Sequence, residues 1–219
     1  MPGYRTARSH APNFPDARIS AAPVKVDPTK IREFKALDHF YDWLSKHHDN
    51  EREVWIKIHK VGSGLQSITA KEAIDAVLCW GWIDGLRKSF DEKSFLQRYT
   101  PRGPKSLWSQ INVENVARLT KEGKMTEHGL RHVAAAKADG RWQRAYKGGK
   151  EMTLPADLVA AINAEPKAKK MLQRLNAQNR FALAFRVHNV KTEAGRKKKI
   201  QTFVAMLKSR KTIYPQCKK

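Results

Sequence analysis

The residues best suited to hold a ligand lie in one run of the sequence, residues 79–109. This run contains three of the six tryptophans, together with three acidic residues and three arginines. Ligand pockets are mostly apolar and carry a few polar anchors, so the composition fits a site for a flat or cyclic ligand. The candidate ligand-binding residues are Trp80, Trp82, Asp84, Arg98, Tyr99, Arg102 and Trp108.

Two other chemistries can be drawn from the same region. Arg98 and Arg102 could hold a carboxylate or a phosphate in bidentate fashion. Trp55 and Tyr99, with neighbouring basic side chains, could form an aromatic and basic sheet face of the kind that binds single-stranded nucleic acid. The structural alternative is that the tryptophans fill the junction of sheet and helices, Asp84 forms a turn, and the arginines cover the sheet.

Catalysis and metal binding receive little support from the residue types. Among the eight histidines, only His128 and His132 have the i, i+4 spacing of a metal-binding pair, and no glutamate completes an HExxH motif. The sequence has no glycine-rich phosphate loop, nucleophile elbow or carboxylate pair. It therefore predicts no metal, no cofactor and no catalytic residue. An enzyme that uses Asp84 and the arginines on a small molecule stays open as an alternative.

Positive charge is concentrated at one end of the chain. Forty-three basic residues against 21 acidic ones give a net charge of +22, and residues 167–219 hold 16 basic residues and one acid. Such a segment attracts nucleic acid, an acidic membrane surface or an acidic protein; otherwise it is a solvated helical face with a loose tail. The candidate anion-binding residues are Arg196, Lys197, Lys198, Lys199, Lys208 and Lys211.

The predicted fold class is α+β. A small antiparallel sheet of about three strands is expected to pack with helices and to be followed by a C-terminal helical bundle. The strands are predicted from alternating apolar residues at 54–59, 86–90 and 95–99, where Asp84-Gly85 and residues 91–94 supply turns. Thr69 and Glu72 predict a capping box, and Asp38 is expected to cap the first helix.

The domain organisation follows from composition. A proline-rich N-terminal arm is expected at residues 1–30 because it cannot bury enough apolar surface to fold. It is followed by an α+β core at 31–142, a linker at 143–154, a basic helical region at 155–210 and a basic tail at 211–219. Two cysteines cannot build a disulfide framework, and the N-terminus lacks an apolar run, so a cytoplasmic location is expected.

The central block of the chain resembles the YdeI/OmpD-associated family, also called the bacteriocin-protection family, over about residues 34–210. Its closing segment, KTEAGRKKKI at 191–200, is similar to the family's last helix. The other matching marks are GWIDG at 81–85, YTPR at 99–102, Ser106, WS at 108–109, Asn112, Gly123, MT at 125–126, DG at 139–140 and Trp142.

The resemblance implies a role in binding. Members of the family are linked to bacteriocin protection, to resistance against cationic antimicrobial peptides and to association with an outer-membrane porin. It therefore implies a non-enzymatic contribution to envelope stress tolerance, with a porin as one class of partner. Binding of nucleic acid or another polyanion by the basic C-terminal helices is the alternative that the charge pattern favours.

Overall fold

A computed structural model describes residues 24–148 and 151–216 of the chain. They divide into two compact units at the boundary between Ala145 and Tyr146. We call residues 24–145 the core unit, and residues 146–148 with 151–216 the C-terminal unit. Most of the predicted N-terminal arm, two residues of the predicted linker and the last three residues of the tail lie outside the described residues. Within the described chain, no helix has the length and apolar character needed to cross a membrane.

The core unit is built on a four-stranded sheet with the order β1-β2-β4-β3. The strands are β1 Ile31–Arg32, β2 Val54–His59, β3 Trp82–Ser89 and β4 Ser94–Pro101. β4 pairs antiparallel with both β2 and β3, whereas β1 runs parallel to β2. The α+β fold class is thus confirmed with one strand more than predicted. β1 was missed because two residues cannot display a period.

Strand β3 begins earlier than the sequence predicts. Asp84 pairs with Tyr99 inside the strand, so the predicted Asp84-Gly85 turn is wrong. The pairing register shifts between Asp84 and Arg87, so that two residues, Gly85 and Leu86, lie opposite the single residue Arg98. This irregularity is a β-bulge, and it interrupts the alternation from which strands are predicted.

The buried side chain of Gln97 satisfies backbone groups at this bulge. Its amide nitrogen donates to the carbonyl oxygen of Gly85 over 3.1 Å, and its amide oxygen accepts a hydrogen bond from Nε of Arg87 over 2.9 Å. Buried polar groups need such partners. Gln97 therefore holds the hairpin in its bulged register.

The core unit has four helices, of which the first two share a hydrophobic core with the sheet and the last two pack with the second. They are α1 Leu37–His47, α2 Ala70–Cys79, α3 Gln110–Lys121 and α4 Glu127–Ala138. The predicted capping box is confirmed, because Thr69 accepts from the Glu72 amide and the Glu72 carboxylate accepts from the Thr69 amide. The predicted Asp38 cap is wrong. Ala36 is the N-cap without a side-chain bond, and Asp38 lies in the first turn of α1.

The sheet is buried more completely than a half-exposed strand would be. Val54, Ile56 and Ile58 pack with Phe40 and Leu44 of α1, as the alternation predicts. Trp55, however, points to the opposite face and is also fully buried, so the second face is covered at Trp55 as well. Alternation identified the two faces but not what covers the second one.

The C-terminal unit contains four helices. They are α5 Ala156–Asn163, α6 Pro166–Gln173, α7 Ala177–His188 and α8 Glu193–Lys208. Their shared core includes Leu158, Ile162, Leu183, Phe203 and Leu207. The segment after α8 is held by the buried Asn179, whose side chain accepts from the Tyr214 amide and donates to the Tyr214 carbonyl.

Two helices in the protein begin with the same pattern, a capping threonine followed three residues later by glycine. The Thr126 side chain caps α4 by accepting from the Gly129 amide, and the Thr192 side chain caps α8 by accepting from the Gly195 amide. A β-carbon on Gly129 would lie 2.4 Å from the backbone oxygen of Cys79. A β-carbon on Gly195 would meet only side-chain atoms. Helix α4 therefore approaches the end of α2 at a distance that only glycine permits.

We expect Gly129→Ala to lower the free energy of unfolding of the core unit by about 2 kcal/mol or more, because the clash is with backbone. In an open helix the same change would stabilise by up to about 1 kcal/mol. All six tryptophans lie in the core unit, so urea unfolding followed by tryptophan fluorescence measures this effect. Gly195→Ala, followed by circular dichroism, is the matched control and should cost no more than about 1 kcal/mol. Equal losses in both variants would contradict the close approach.

Candidate functional site

The aromatic members of the predicted ligand-binding set lie in the interior. Trp82 and Trp108 are 1% and 2% exposed, and Tyr99 is fully buried. Nε1 of Trp82 donates to the carbonyl oxygen of His48, and Trp108 meets the ring of Trp142 edge to face. Trp80 is the only indole of the three that is partly exposed. These side chains belong to the hydrophobic cores that sheet and helices share, and they do not form a shared open wall.

The two arginines of the set have different surroundings. Arg102 is 4% exposed, and its guanidinium carbon lies 3.7 Å from the centre of the Trp108 ring while Nη1 donates to the Leu107 carbonyl. Arg98 lies beside Trp55, on the opposite face of the sheet from Tyr99. Nε and Nη2 of Arg98 are 2.6 and 2.5 Å from the same oxygen of Glu53. The two guanidinium groups therefore do not converge on one anion.

Asp84 pairs with Tyr99 of the neighbouring strand. Together with the nearby Arg102 and Arg87 it forms a polar cluster inside an apolar region. Burial raises the pKa of Asp84, and the nearby Arg102 and Arg87 oppose this shift. Burial also raises the pKa of Tyr99, whose hydroxyl has no hydrogen-bond partner among the described residues. A carboxyl group that is easier to protonate than usual marks many active sites. It also occurs in structural clusters, and here the surrounding side chains are packed core.

The predicted nucleic-acid-binding sheet face is not formed. Val54 pairs with Tyr99 and Trp55 pairs with Arg98, so the two aromatic rings project from opposite faces of the sheet. Both are fully buried. Stacking of bases requires exposed rings on one surface, and the core unit does not offer these two.

A shallow depression lies elsewhere in the core unit, between α1, α2 and α3. Its lining includes Tyr41, Leu119 and the thiol-bearing Cys79. Burial raises the pKa of Cys79 to about 12. The thiol is therefore protonated at neutral pH, and it lacks the thiolate character of a nucleophile.

The basic residues of the C-terminal unit fall into two groups. Three of the predicted anion-binding residues are in ion pairs: Arg196 with Asp157, Lys197 with Glu193, and Lys208 with Glu165. Arg196 is also held by the Val187 carbonyl, so it belongs to the packing of α8. Lys198 and Lys211 are exposed, and no acidic partner for them lies among the described residues. Lys199 is half-buried, and its ammonium lies 5.9 Å from the Phe203 ring.

The histidines are arranged differently from the predicted i, i+4 pair. Nδ1 of His128 lies 3.1 Å from Nε2 of His48, which is 80 residues away in the sequence. His132 lies beside Gly81 instead. Burial, followed by the charges of Arg102, Arg131 and Arg141, lowers the pKa of His132. Sequence spacing could not reveal the His48 contact because it depends on how α1 and α4 pack.

Comparisons with known families match two separate segments of the chain. Residues 151–210 match the family described as bacteriocin-protection, YdeI or OmpD-associated. Residues 32–132 match a domain of unknown function, DUF8412. The resemblance inferred from the sequence is thus confirmed for the C-terminal segment, whereas the central block matches a different model. No curated protein and no solved structure gave a significant match.

We expect Arg102→Ala to lower the free energy of unfolding by about 3 kcal/mol or more, because the change empties a buried charged site and exposes the face of Trp108. Arg98→Ala removes the same group from a partly exposed pair and should cost about 1 kcal/mol or less. Urea unfolding followed by tryptophan fluorescence compares the two. If both variants were as stable as the native protein, Arg102 would not be part of the core.

Asp84→Asn tests the buried carboxyl through pH. Since burial raises the pKa of Asp84, the folded state keeps a proton that the unfolded chain has already lost. The contribution of Asp84 to stability therefore falls as pH rises above the ordinary value of about 3.8. Relative to the native protein, Asp84→Asn should become more stable in urea unfolding as pH rises above about 4, until the carboxyl has also lost its proton in the folded state.

Asp91→Asn is the matched control for this titration. The Ser94 side chain and nearby backbone amides lower the pKa of Asp91, which is exposed. Its contribution to stability is present above the ordinary pKa and is lost as pH falls, so this variant should lose relative stability as pH rises. A constant stability difference for Asp84→Asn across the range would show that its carboxyl titrates as it does in the unfolded chain.

Proposed function

We propose that this protein, whose residues 151–210 match the bacteriocin-protection, YdeI or OmpD-associated family, acts by binding and not by catalysis. Its role is in the tolerance of bacteria to bacteriocins or antimicrobial peptides during envelope stress. The contact surface is the exposed basic side of the C-terminal unit, and its partner is a polyanion. The core unit does not itself form the ligand site.

The proposal rests on the excess of positive charge in the C-terminal unit. Residues 151–216 contain 14 basic and four acidic residues. Three of those four acids, Asp157, Glu165 and Glu193, already form ion pairs with α8. The remaining excess of cations therefore acts on the surroundings, and it concentrates anions near this surface.

The sign of this charge limits how the protein could protect a cell. A cationic surface repels cationic peptides, so direct capture of such a peptide by the C-terminal unit is unfavourable. Binding to an anionic partner is favourable, and the family's segment is the one that carries the charge. Nucleic acid is the simplest polyanion with which to test this, and an acidic protein is the second class of partner.

We expect a fluorescein-labelled duplex oligonucleotide to bind the full-length protein in anisotropy titrations. With four or five phosphate contacts, the affinity should fall about 10²- to 10³-fold between roughly 50 mM and 200 mM salt. Replacing Lys197, Lys198 and Lys199 together by Gln should weaken binding about tenfold or more at low salt and reduce the salt slope by about two to three.

The matched control replaces Lys167, Lys169 and Lys170 of α6 by Gln. This change removes the same charge from the same unit but from another helix, so it separates a local surface from net charge. Deleting α8 would be a poor test, because its side chains Ile200, Phe203 and Leu207 belong to the core. Equal weakening by the two triple variants would contradict a surface on α8, and no binding at low salt would remove polyanions of this type as partners.

A further inference from the structure

Three potential metal ligands converge where α1 ends against the start of α4. His48 is the C-cap of α1, Asp49 follows it, and His128 lies in the first turn of α4. One ligand atom from each of the three lies within 4.8 Å of the other two. Nε2 of His48 is 3.1 Å from Nδ1 of His128 and 3.2 Å from a carboxylate oxygen of Asp49.

The hydrogen bonds of the two histidines place two nitrogens that carry lone pairs next to each other. Nδ1 of His48 is 3.0 Å from the Leu44 carbonyl, which can only accept, so this nitrogen carries the proton. In the neutral ring, Nε2 then has the lone pair. Nδ1 of His128 lies 2.6 Å from Nη2 of Arg131, which can only donate, so it also has a lone pair. Without a metal, the Arg131 donor occupies the lone pair of His128; a cation between the two nitrogens, which are 3.1 Å apart, would accept both lone pairs.

We infer that His48, His128 and Asp49 bind a divalent transition-metal ion of the zinc class. Imidazole nitrogen and carboxylate oxygen are ligands of Zn²⁺ at about 2.0–2.2 Å, and two ligands of a tetrahedral ion are then about 3.3 Å apart. The observed separations of 3.1 and 3.2 Å approach this value. With three protein ligands, a fourth position is left for water or a small ligand.

The surroundings hold the two imidazole rings in place. The Leu44 carbonyl orients His48, as second-shell carbonyls orient metal-binding histidines in general. Nε1 of Trp82 donates to the His48 carbonyl, and the ring of Trp80 packs 4.7 Å from that of His48. On the other side, the close approach of Gly129 to Cys79 fixes the first turn of α4. Both nitrogen donors therefore sit on rigid elements, as a preorganised site requires.

Some of the charges near the site favour the binding of a cation, and others oppose it. The carbonyl end of α1 favours a cation, whereas the amide end of α4 opposes one. The Asp49 carboxylate, 72% exposed, supplies negative charge. Arg131 is exposed and occupies the lone pair of His128, so it must swing away before a metal binds. Arg131 therefore competes with the metal, and its removal should increase affinity.

The test is calorimetric titration of the full-length protein with Zn²⁺ at about pH 7.5. Co²⁺ provides a second probe, since its visible absorption reports coordination by nitrogen and oxygen. We expect His48→Gln and His128→Gln each to weaken Zn²⁺ binding by about tenfold or more, and Asp49→Asn to weaken it less. Arg131→Ala should strengthen it several-fold, a gain that misfolding cannot produce.

His188→Gln, at an exposed position of the C-terminal unit, is the control for adventitious binding and should change nothing. Circular dichroism establishes that each variant is folded. The inference is overturned if the native protein does not bind Zn²⁺, or if His48→Gln and His128→Gln bind as tightly as His188→Gln does. Either outcome would mean that the histidine pair shares a proton only. Polyanion binding would be unaffected, because its surface lies on α8.

Discussion

The core unit depends on the contact between the end of α2 and the start of α4. The Thr126 hydroxyl donates to the Cys79 carbonyl over 2.6 Å, and Gly129 allows the helix to approach that same carbonyl. Directly after it, the Gly81 carbonyl accepts from the Arg102 amide, which joins the end of the helix to the end of β4. Trp80, Trp82 and His128 take their positions from this junction. A larger residue at position 129 would move all of them.

This junction also gives the most conspicuous sequence motif a structural role. The tryptophans and Arg102 fill the space where α2 turns into β3, and the guanidinium covers the Trp108 ring. Aromatic and arginine side chains suit both a ligand pocket and such a junction. Composition cannot separate the two, because the difference lies in whether the rings reach solvent. In the C-terminal unit the situation is reversed, since the charges that could bind a partner are exposed.

Local chemistry was predictable from the sequence, and long-range packing was not. The Thr69–Glu72 capping box follows from two residues three positions apart, and the hairpin from alternating side chains. The bulge at Gly85 depends on Gln97 in the neighbouring strand, and the burial of Trp55 depends on what covers the second face of the sheet. Likewise, the ion pairs of Arg196 and Lys208 join residues more than 35 positions apart. The contact of His48 with His128 belongs to the same class.

The central claim is that the protein engages its partner through the basic side of α8. The most direct measurement is the mapping of amide chemical shifts in ¹H–¹⁵N spectra during titration with a duplex oligonucleotide at low salt. The account predicts that the largest changes fall on residues 195–211 and disappear at high salt. Changes concentrated around Trp80, Asp84 and Arg98 would contradict the account and would indicate that the ligand binds to the core unit.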